Sequence, residues 1–318
     1  MRASSLFLTL VALVLALDPA PRGAFAQTAE TAAVITEIKP GRGRVEVKPA
    51  SGGDWRPAGP LLALRVGDTV RTTENAVAVV LLSGGRGTAR VEGASGSFTV
   101  PAASTAGQGQ KARALVESSL GYLAGTARES SQAALATRSI GRPPVVLGPR
   151  NGRALPEGLA FDWLGGRSSR YTVRVVGPGG LVVERRDVTG VRWPYPTDAP
   201  PLSPNVRYTV QVIGAGPAQE AWFEVVDAAR QRAVAADLES LDQAMGASAS
   251  PTSRAVLRAG LLAREELLHD ARQVVVAALA QDRDEPTLHQ LLGDLYRRVG
   301  LPDLAAESFD EARHLLTQ

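Results

Sequence analysis

The chain has 318 residues, of which 44% are apolar and 21% charged, a composition typical of a globular protein and not of a disordered one. At roughly 100–200 residues per domain, this length predicts two or three domains. The chain contains no cysteine, which excludes disulfide scaffolds, cysteine-containing zinc sites, thiolate catalysis and cysteine-anchored lipoproteins.

Residues 1–26 have the pattern of a secretory signal peptide. Arg2 supplies the positive charge, residues 6–17 form an apolar run, and residues 24–26 give an A-x-A cleavage site. The run is shorter than the ~20 residues of a membrane span. We expect cleavage after Ala26, a periplasmic or secreted protein, and no membrane span after signal cleavage. An uncleaved anchor is the alternative.

The remaining chain is asymmetric in charge. Residues 27–227 carry 23 basic and 17 acidic residues, net +6, whereas residues 228–318 carry 10 and 14, net −4. Nearly all the basic residues are arginines, and arginine clusters can neutralise nucleic-acid phosphates. Here the arginines are scattered among acidic residues in a chain expected to be exported. We therefore expect no nucleic-acid partner and interpret the arginine content as a coding bias.

Short alternating or apolar segments separated by turn residues fill residues 33–101. Strands are expected at residues 34–38, 44–47, 76–82, 88–92 and 97–100. Their spacing predicts a small all-β sandwich or barrel.

A longer pattern overlies these strands. It comprises Trp55-x-Pro57, Leu61, Leu64-x-Val66-Gly67-Asp68-x-Val70-Arg71-Thr72 and Ala76-x-Ala78-x-Val80-x-Leu82-x-Gly84-Gly85. It resembles the FecR domain, which implies a FecR-like β domain over residues 27–106. The family's signalling to a sigma factor requires a cytoplasmic segment and a membrane span that the sequence does not show, so we do not expect that activity. Gly67-Asp68 predicts a turn into a strand, with Asp68 structural and not catalytic.

Residues 107–144 change in character. Val116, Leu120 and Leu123 recur at i, i+4 and i+7, which predicts a short helix with one apolar stripe. The small residues that follow, up to residues 142–144, are typical of a linker. We therefore interpret the whole segment as a helical segment and linker.

Residues 145–227 return to strand patterns, with predicted strands at residues 161–163, 171–176, 181–183, 208–212 and 222–226. The length of this region and the turn residues between its strands favour a seven-strand sandwich. The order of aromatic and alternating residues resembles a fibronectin type III-like domain. The aromatic residues stand where a sandwich core would need them. The alternative for Trp193 and Tyr195 is that they stack on a glycan, since their proline neighbours imply partial exposure.

Residues 228–318 show helical periodicity. A first helix is expected over residues 228–245, and a second begins near Ser253, with Thr252 or Ser253 as its N-cap. The last two segments repeat with a period of about 34 residues. In the second unit the pattern positions are Leu292, Gly293, Tyr296, Ala305, Phe309 and Ala312, which resemble the tetratricopeptide (TPR) consensus; the first unit is degenerate.

The TPR resemblance implies a groove lined by the first helix of each unit. The groove positions are Arg264 in the first unit and Gln290, Asp294, Arg297 and Arg298 in the second. The arginines beside Asp294 are candidates to hold an extended peptide or its terminal carboxylate through charge-assisted hydrogen bonds. The alternative is that these residues are only the polar side of amphipathic helices.

The sequence carries no catalytic motif that we recognise. His269 and His289 lack metal-ligand spacing, and nucleophile-elbow, P-loop and dinucleotide-binding patterns are absent from the 318 residues. We expect no catalytic residue, no metal site and no cofactor. A hydrolase in the β region would need a carboxylate pair that we cannot identify.

Together these patterns predict a multidomain protein. Two small all-β domains, FecR-like and fibronectin type III-like, precede an all-α TPR-like segment. The predicted function is non-catalytic protein–protein interaction or scaffolding in the bacterial cell envelope, with an envelope protein or extended peptide bound by the TPR-like helices. The alternative is a carbohydrate- or peptidoglycan-binding protein that uses the β domains to bind cell-wall polysaccharide, since such polymers are often acidic.

Overall fold

The computed structural model describes residues 31–94, 96–102, 109–130, 144–165, 168–247 and 249–317. The predicted signal peptide, residues 1–26, lies outside the described residues, as do residues 131–143 of the predicted linker. Along the described chain, a β domain is followed by one helix, then by a second β domain and five further helices.

The N-terminal β domain consists of two four-stranded antiparallel sheets, β4-β1-β6-β7 and β3-β2-β5-β8. The strands are β1 (Ala33–Lys39), β2 (Val45–Lys48), β3 (Arg56–Pro57), β4 (Ala63–Leu64), β5 (Thr69–Thr72), β6 (Val77–Leu82), β7 (Thr88–Glu92) and β8 (Ser97–Thr99). Gly67 has φ 86°, and the Asp68 carboxylate accepts hydrogen bonds from the backbone amides of Ala50 (2.9 Å) and Arg65 (2.8 Å). The prediction that Asp68 is structural is confirmed.

Strand β1 is buried on both faces. Ala33, Ile35 and Ile38 point into the core of the β domain, whereas Val34 belongs to the core formed by the helices. A strand covered on both sides needs apolar residues at successive positions, which explains why β1 does not show clean alternation.

The second β domain is a sandwich of a five-stranded sheet, β10-β16-β15-β12-β13, and a three-stranded sheet, β14-β11-β9. Its strands are β9 (Val145–Gly148), β10 (Gly152–Ala154), β11 (Ala160–Leu164), β12 (Arg170–Gly177), β13 (Gly180–Thr189), β14 (Arg192–Pro194), β15 (Arg207–Ile213) and β16 (Gln219–Val225). The predicted count of seven strands is wrong by one among the described residues. Strands β9, β10 and β14 lie outside the predicted strand segments; the short β10 pairs parallel to β16 and lacks an alternating apolar pattern.

The helices are α1 (Gln110–Ser130), α2 (Ala228–Met245), α3 (Pro251–Arg264), α4 (Leu268–Leu279), α5 (Pro286–Arg298) and α6 (Pro302–Leu315). Helix α2 has the predicted bounds. Helix α3 packs on α4 and α5 on α6, and the second pair follows the first after about 34 residues. The predicted N-cap of α3 is wrong: Ser250 accepts the capping hydrogen bond from the Ser253 amide, because Pro251 takes the first helical position.

Strand β1 holds the N-termini of α3 and α5. The Glu37 carboxylate accepts hydrogen bonds from the Ser253 amide (3.1 Å) and hydroxyl (2.6 Å). The Ile38 amide donates to Glu285 Oε1 (3.0 Å), and the Thr36 and Ser253 hydroxyls are 2.8 Å apart. Because Glu37 and Glu285 accept hydrogen bonds that link β1 with the first turns of α3 and α5, the two glutamates fix the β domain to two helices at once.

The sandwich docks on α4 through a second buried polar cluster. The Asp162 carboxylate accepts hydrogen bonds from Arg272 (2.5 Å) and Gln273. The Leu155 amide donates to Asp270 Oδ2 (3.1 Å). Asp162 and Arg272 are each less than a tenth exposed, so breaking the pair from one side would leave an uncompensated buried charge. The helices therefore form a hub to which both β domains are attached.

Candidate interaction surface of the helical array

Helix α1 lies on the surface formed by α3 and α5, the first helices of the two helical pairs. We call this surface the α3–α5 face; it includes Arg264, Asp294 and Arg298. The predicted stripe of Val116, Leu120 and Leu123 is buried, with each residue at most 1% exposed. The stripe thus faces α2, α3 and α5 and joins the helical core.

Close approach between α1 and α3 depends on a glycine. A Cβ atom placed on Gly260 would lie only 2.9 Å from Leu123 Cγ, so a larger residue would push α1 away from α3. Because Gly260 has no side chain, Leu123 can pack against it and is fully buried, with 0% of its surface exposed. Gly260 therefore determines how tightly α1 can sit on the α3–α5 face.

Polar contacts continue the same interface. The Arg264 guanidinium donates to Ser118 Oγ on α1. Arg298 Nη1 donates to the Tyr122 hydroxyl (2.5 Å), and that hydroxyl donates to Asp294 Oδ2 (3.3 Å). Tyr122 thus links α1 to α5 through one donor and one acceptor contact.

The electrostatics of this network keep the tyrosine neutral. Asp294 is 1% exposed and forms a 2.6 Å ion pair with Arg297. Burial and the neighbouring Asp294 carboxylate raise the pKa of Tyr122 well above its ordinary value. The hydroxyl therefore retains its proton and remains a donor to Asp294 across the physiological pH range.

Three of the five residues predicted to line a partner groove contact α1. These are Arg264, Asp294 and Arg298. Arg297 pairs with Asp294, and Gln290 is half-buried on α5. The sequence reasoning did not identify Ser118 and Tyr122 as their partners. A signal was present in the i, i+4 spacing of these two polar residues beside the apolar stripe.

The two predicted glycan-stacking residues lie at the edge of the sandwich core. Trp193 is 7% exposed, and its ring stacks on Phe161 with centroids 5.7 Å apart. Tyr195 is half-buried and donates its hydroxyl to the Pro200 carbonyl (2.5 Å). One face of the Trp193 ring therefore packs on Phe161 inside the domain. The Trp193 side chain also lines a cleft of 770 Å³ between β13 and the proline-rich segment after β14.

Three titratable groups lie where the helices meet the β domains: His269 and Glu285 are buried, and Asp270 is half-buried. Burial raises the pKa of Asp270 and of Glu285 to about 7 each. Burial, with Arg272 and Arg192 nearby, lowers the pKa of His269 to about 3, so this imidazole is neutral. A Cβ on Gly148 would fall 2.3 Å from His269 Nδ1. The ring therefore packs directly on the sandwich backbone.

No group of three His, Cys, Asp or Glu side chains among the described residues is placed to hold a metal ion. Within the same part of the chain, no helix is long and apolar enough to cross a membrane. A scan against protein-family models finds no match, and a comparison with curated proteins finds no similar sequence. The resemblances drawn from the sequence therefore remain predictions.

Proposed function

We propose that this chain is an exported, non-catalytic scaffold protein of the bacterial cell envelope, and that it contacts a protein partner through its TPR-like helices. In this proposal FecR-like and fibronectin type III-like domains are fixed on a helical hub, and the hub's α3–α5 face recognises an amphipathic helix. The observation that carries the proposal is the seating of α1, whose apolar stripe and two polar side chains match that face.

The composition of α1 supports exchange with a partner helix. Gly121 and Gly125 stand in the middle of α1, and a Cβ on either would meet no atom within 4 Å. Packing therefore does not require these glycines, and each costs the helix about 1 kcal/mol relative to alanine. Helix α1 thus depends on docking for its stability, so a partner helix with better intrinsic helicity can compete for the face.

Two variants break the same hydrogen bond from opposite ends and separate recognition from simple destabilisation. Tyr122→Phe weakens α1 and leaves the α3–α5 face intact, so more partner should be captured. Arg298→Ala removes a residue of the face itself, so less should be captured. The measurement is crosslinking in the cells that produce the protein, followed by purification of the full-length chain and quantification of the crosslinked partner relative to wild type.

Thermal unfolding of both variants controls for stability, because both lose the Arg298–Tyr122 contact and Arg298→Ala also loses hydrogen bonds to the Ala263 carbonyl and to Glu266. Opposite changes in capture with similar melting temperatures support recognition by the face. An equal loss of captured partner in both variants would mean that α1 is a permanent structural element that no partner helix replaces. Recovery of cell-wall material instead of one protein would transfer the function to the β domains.

A second candidate function, binding of cell-wall polysaccharide, is favoured by the 770 Å³ cleft beside Trp193. Arg185 and Arg192 line it together with Glu184, Asp187 and Asp198, and hydroxyl, amide and charged groups of a glycan can pair with side chains of both signs. Co-sedimentation of the full-length protein with insoluble peptidoglycan tests this, and Arg185→Ala should lower the bound fraction. An unchanged fraction would exclude the cleft as the binding site.

A further inference from the structure

A second cleft of 650 Å³ lies between the N-terminal β domain and the end of α6. It is lined by the turn between β1 and β2, the start of β2, the segment after β3 and the last turn of α6. The lining residues used below are Ile38, Arg42, Arg44, Val45, Arg313 and Leu316. The cleft shares no residue with the α3–α5 face and is of the size at which proteins bind small molecules and peptide segments.

The charge of this cleft is positive. Arg42, Arg44 and Arg313 line it, and no carboxylate is among its described lining residues. Neither Arg42 nor Arg44 forms an ion pair within the described chain. The Arg313 pair with Asp310 is two-thirds exposed on both sides, and such a pair is weak enough for a ligand to replace.

The turn that carries two of these arginines is held in place. The Arg42 amide donates to Asn75 Oδ1 (2.8 Å) and the Arg44 amide donates to Thr73 Oγ1 (2.8 Å). A Cβ on Gly43 would lie 1.8 Å from the Thr73 carbonyl oxygen, so the turn is pressed against the neighbouring strand connection. The two guanidinium groups therefore project from a fixed base, which lowers the cost of binding.

The floor of the cleft is aliphatic. Ile38 and Val45 are almost fully buried beneath it, and Leu316 packs on the same core. No aromatic ring is among its described lining residues, so it lacks the stacking platform on which sugar rings and bases usually rest. The matching ligand carries carboxylates for the arginines and aliphatic groups for the floor.

We propose that this cleft binds an acidic peptide segment in which carboxylate side chains alternate with aliphatic ones. Guanidinium groups pair with carboxylates in bidentate geometry, and an extended chain directs alternate side chains to opposite sides. Aliphatic side chains then face the floor, and the carboxylates lie on the solvent side, where Arg42 and Arg44 are exposed. This inference goes beyond the proposed function, because it assigns a separate site that does not require α1 to move.

The test uses the full-length protein and a fluorescent peptide of alternating Glu and Leu residues, with binding followed by fluorescence anisotropy. The variant Arg42→Ala/Arg44→Ala should weaken binding about tenfold or more, as expected for the loss of charge-assisted hydrogen bonds. The matched control is Arg170→Ala/Arg186→Ala, which removes two exposed arginines from the sandwich and should leave the affinity unchanged.

Three probes distinguish the ligand classes. A peptide of alternating Lys and Leu should not bind, and inorganic phosphate at millimolar concentration should compete only weakly. Alginate represents an anionic polysaccharide. Three results would overturn the proposal. They are no binding of the Glu–Leu peptide, an equal loss of peptide affinity in the two double-arginine variants, and tighter binding of alginate that depends on Arg42 and Arg44. None of these outcomes depends on whether a partner occupies the α3–α5 face.

Discussion

Replacement of Glu285 by glutamine should make the protein more stable at neutral pH. The Glu285 carboxyl caps α5 and accepts the Ile38 amide of β1, and its burial raises its pKa to about 7 from an ordinary value of 4.5. The folded protein therefore keeps a proton on this group that the unfolded chain releases. The stability contributed by the protonated carboxyl is complete below about pH 4.5 and is lost as the pH rises to about 7.

The difference between these two pKa values corresponds to roughly 3 kcal/mol of unfolding free energy. Glutamine retains the carbonyl oxygen that accepts the Ile38 and Thr287 amides, and it does not titrate. Glu285→Gln should therefore match the wild type near pH 4.5. At pH 8 it should exceed the wild type by up to roughly 3 kcal/mol.

The assay is urea unfolding followed by circular dichroism at several pH values from 4.5 to 8. The Asp270 carboxyl, whose pKa is also about 7, still titrates in the variant, so the pH dependence should be reduced and not abolished. Adding Asp270→Asn should remove the remaining loss of stability toward pH 8. It should leave the opposite dependence of His269, whose lowered pKa of about 3 makes the fold more stable as the pH rises from 4.5 to about 6.5. If the unfolding free energies of wild type and Glu285→Gln changed in parallel with pH, or if the variant were less stable than the wild type at pH 8, burial of Glu285 would not be the source of the pH dependence.

Two further substitutions test the packing. Trp193→Ala should destabilise the protein by about 3–5 kcal/mol, because the ring is buried on Phe161; a loss below 1 kcal/mol in denaturant unfolding would show instead that Trp193 is a surface residue. Gly293→Ala should cost about 1–3 kcal/mol, because its Cβ would lie 2.5 Å from the Phe309 ring. Gly121→Ala, which has open space around it, is the matched control and should stabilise α1; equal effects at the two glycines would contradict this packing.

Local patterns in the sequence were sufficient for most elements. Helix α2 has the predicted bounds, and the stripe of Val116, Leu120 and Leu123 is buried as its period indicates. Alternation likewise located strands β7, β12 and β15. These elements could be predicted because burial of one face leaves a period of 2 or 3.6 in the sequence. The short strands β3, β4, β9, β10 and β14 and the Ser250 cap were missed, because strands of two to four residues and a single capping residue leave no such period.

The candidate site was predictable only in part. The helical repeat indicated that Arg264, Asp294 and Arg298 share one face, but not that α1 covers them. The contact between Tyr122 and Asp294 joins residues 172 positions apart, and nothing in the local sequence of either residue records the other. The sequence left open whether Trp193 belongs to the sandwich core or is exposed for stacking, since its partner Phe161 lies on another strand.

The order of the β and helical segments, the faces that they bury and the repeat of the last four helices follow from local patterns along the chain. How these parts meet follows from the folded structure and from no local pattern. That structure sets Glu37 and Glu285 at the junction of β1 with α3 and α5, seats α1 on the α3–α5 face, and gathers three arginines around one cleft. The physical reason is that periodicity records that a face is buried, whereas the identity of its partner depends on shape and hydrogen bonding between segments that are distant along the chain.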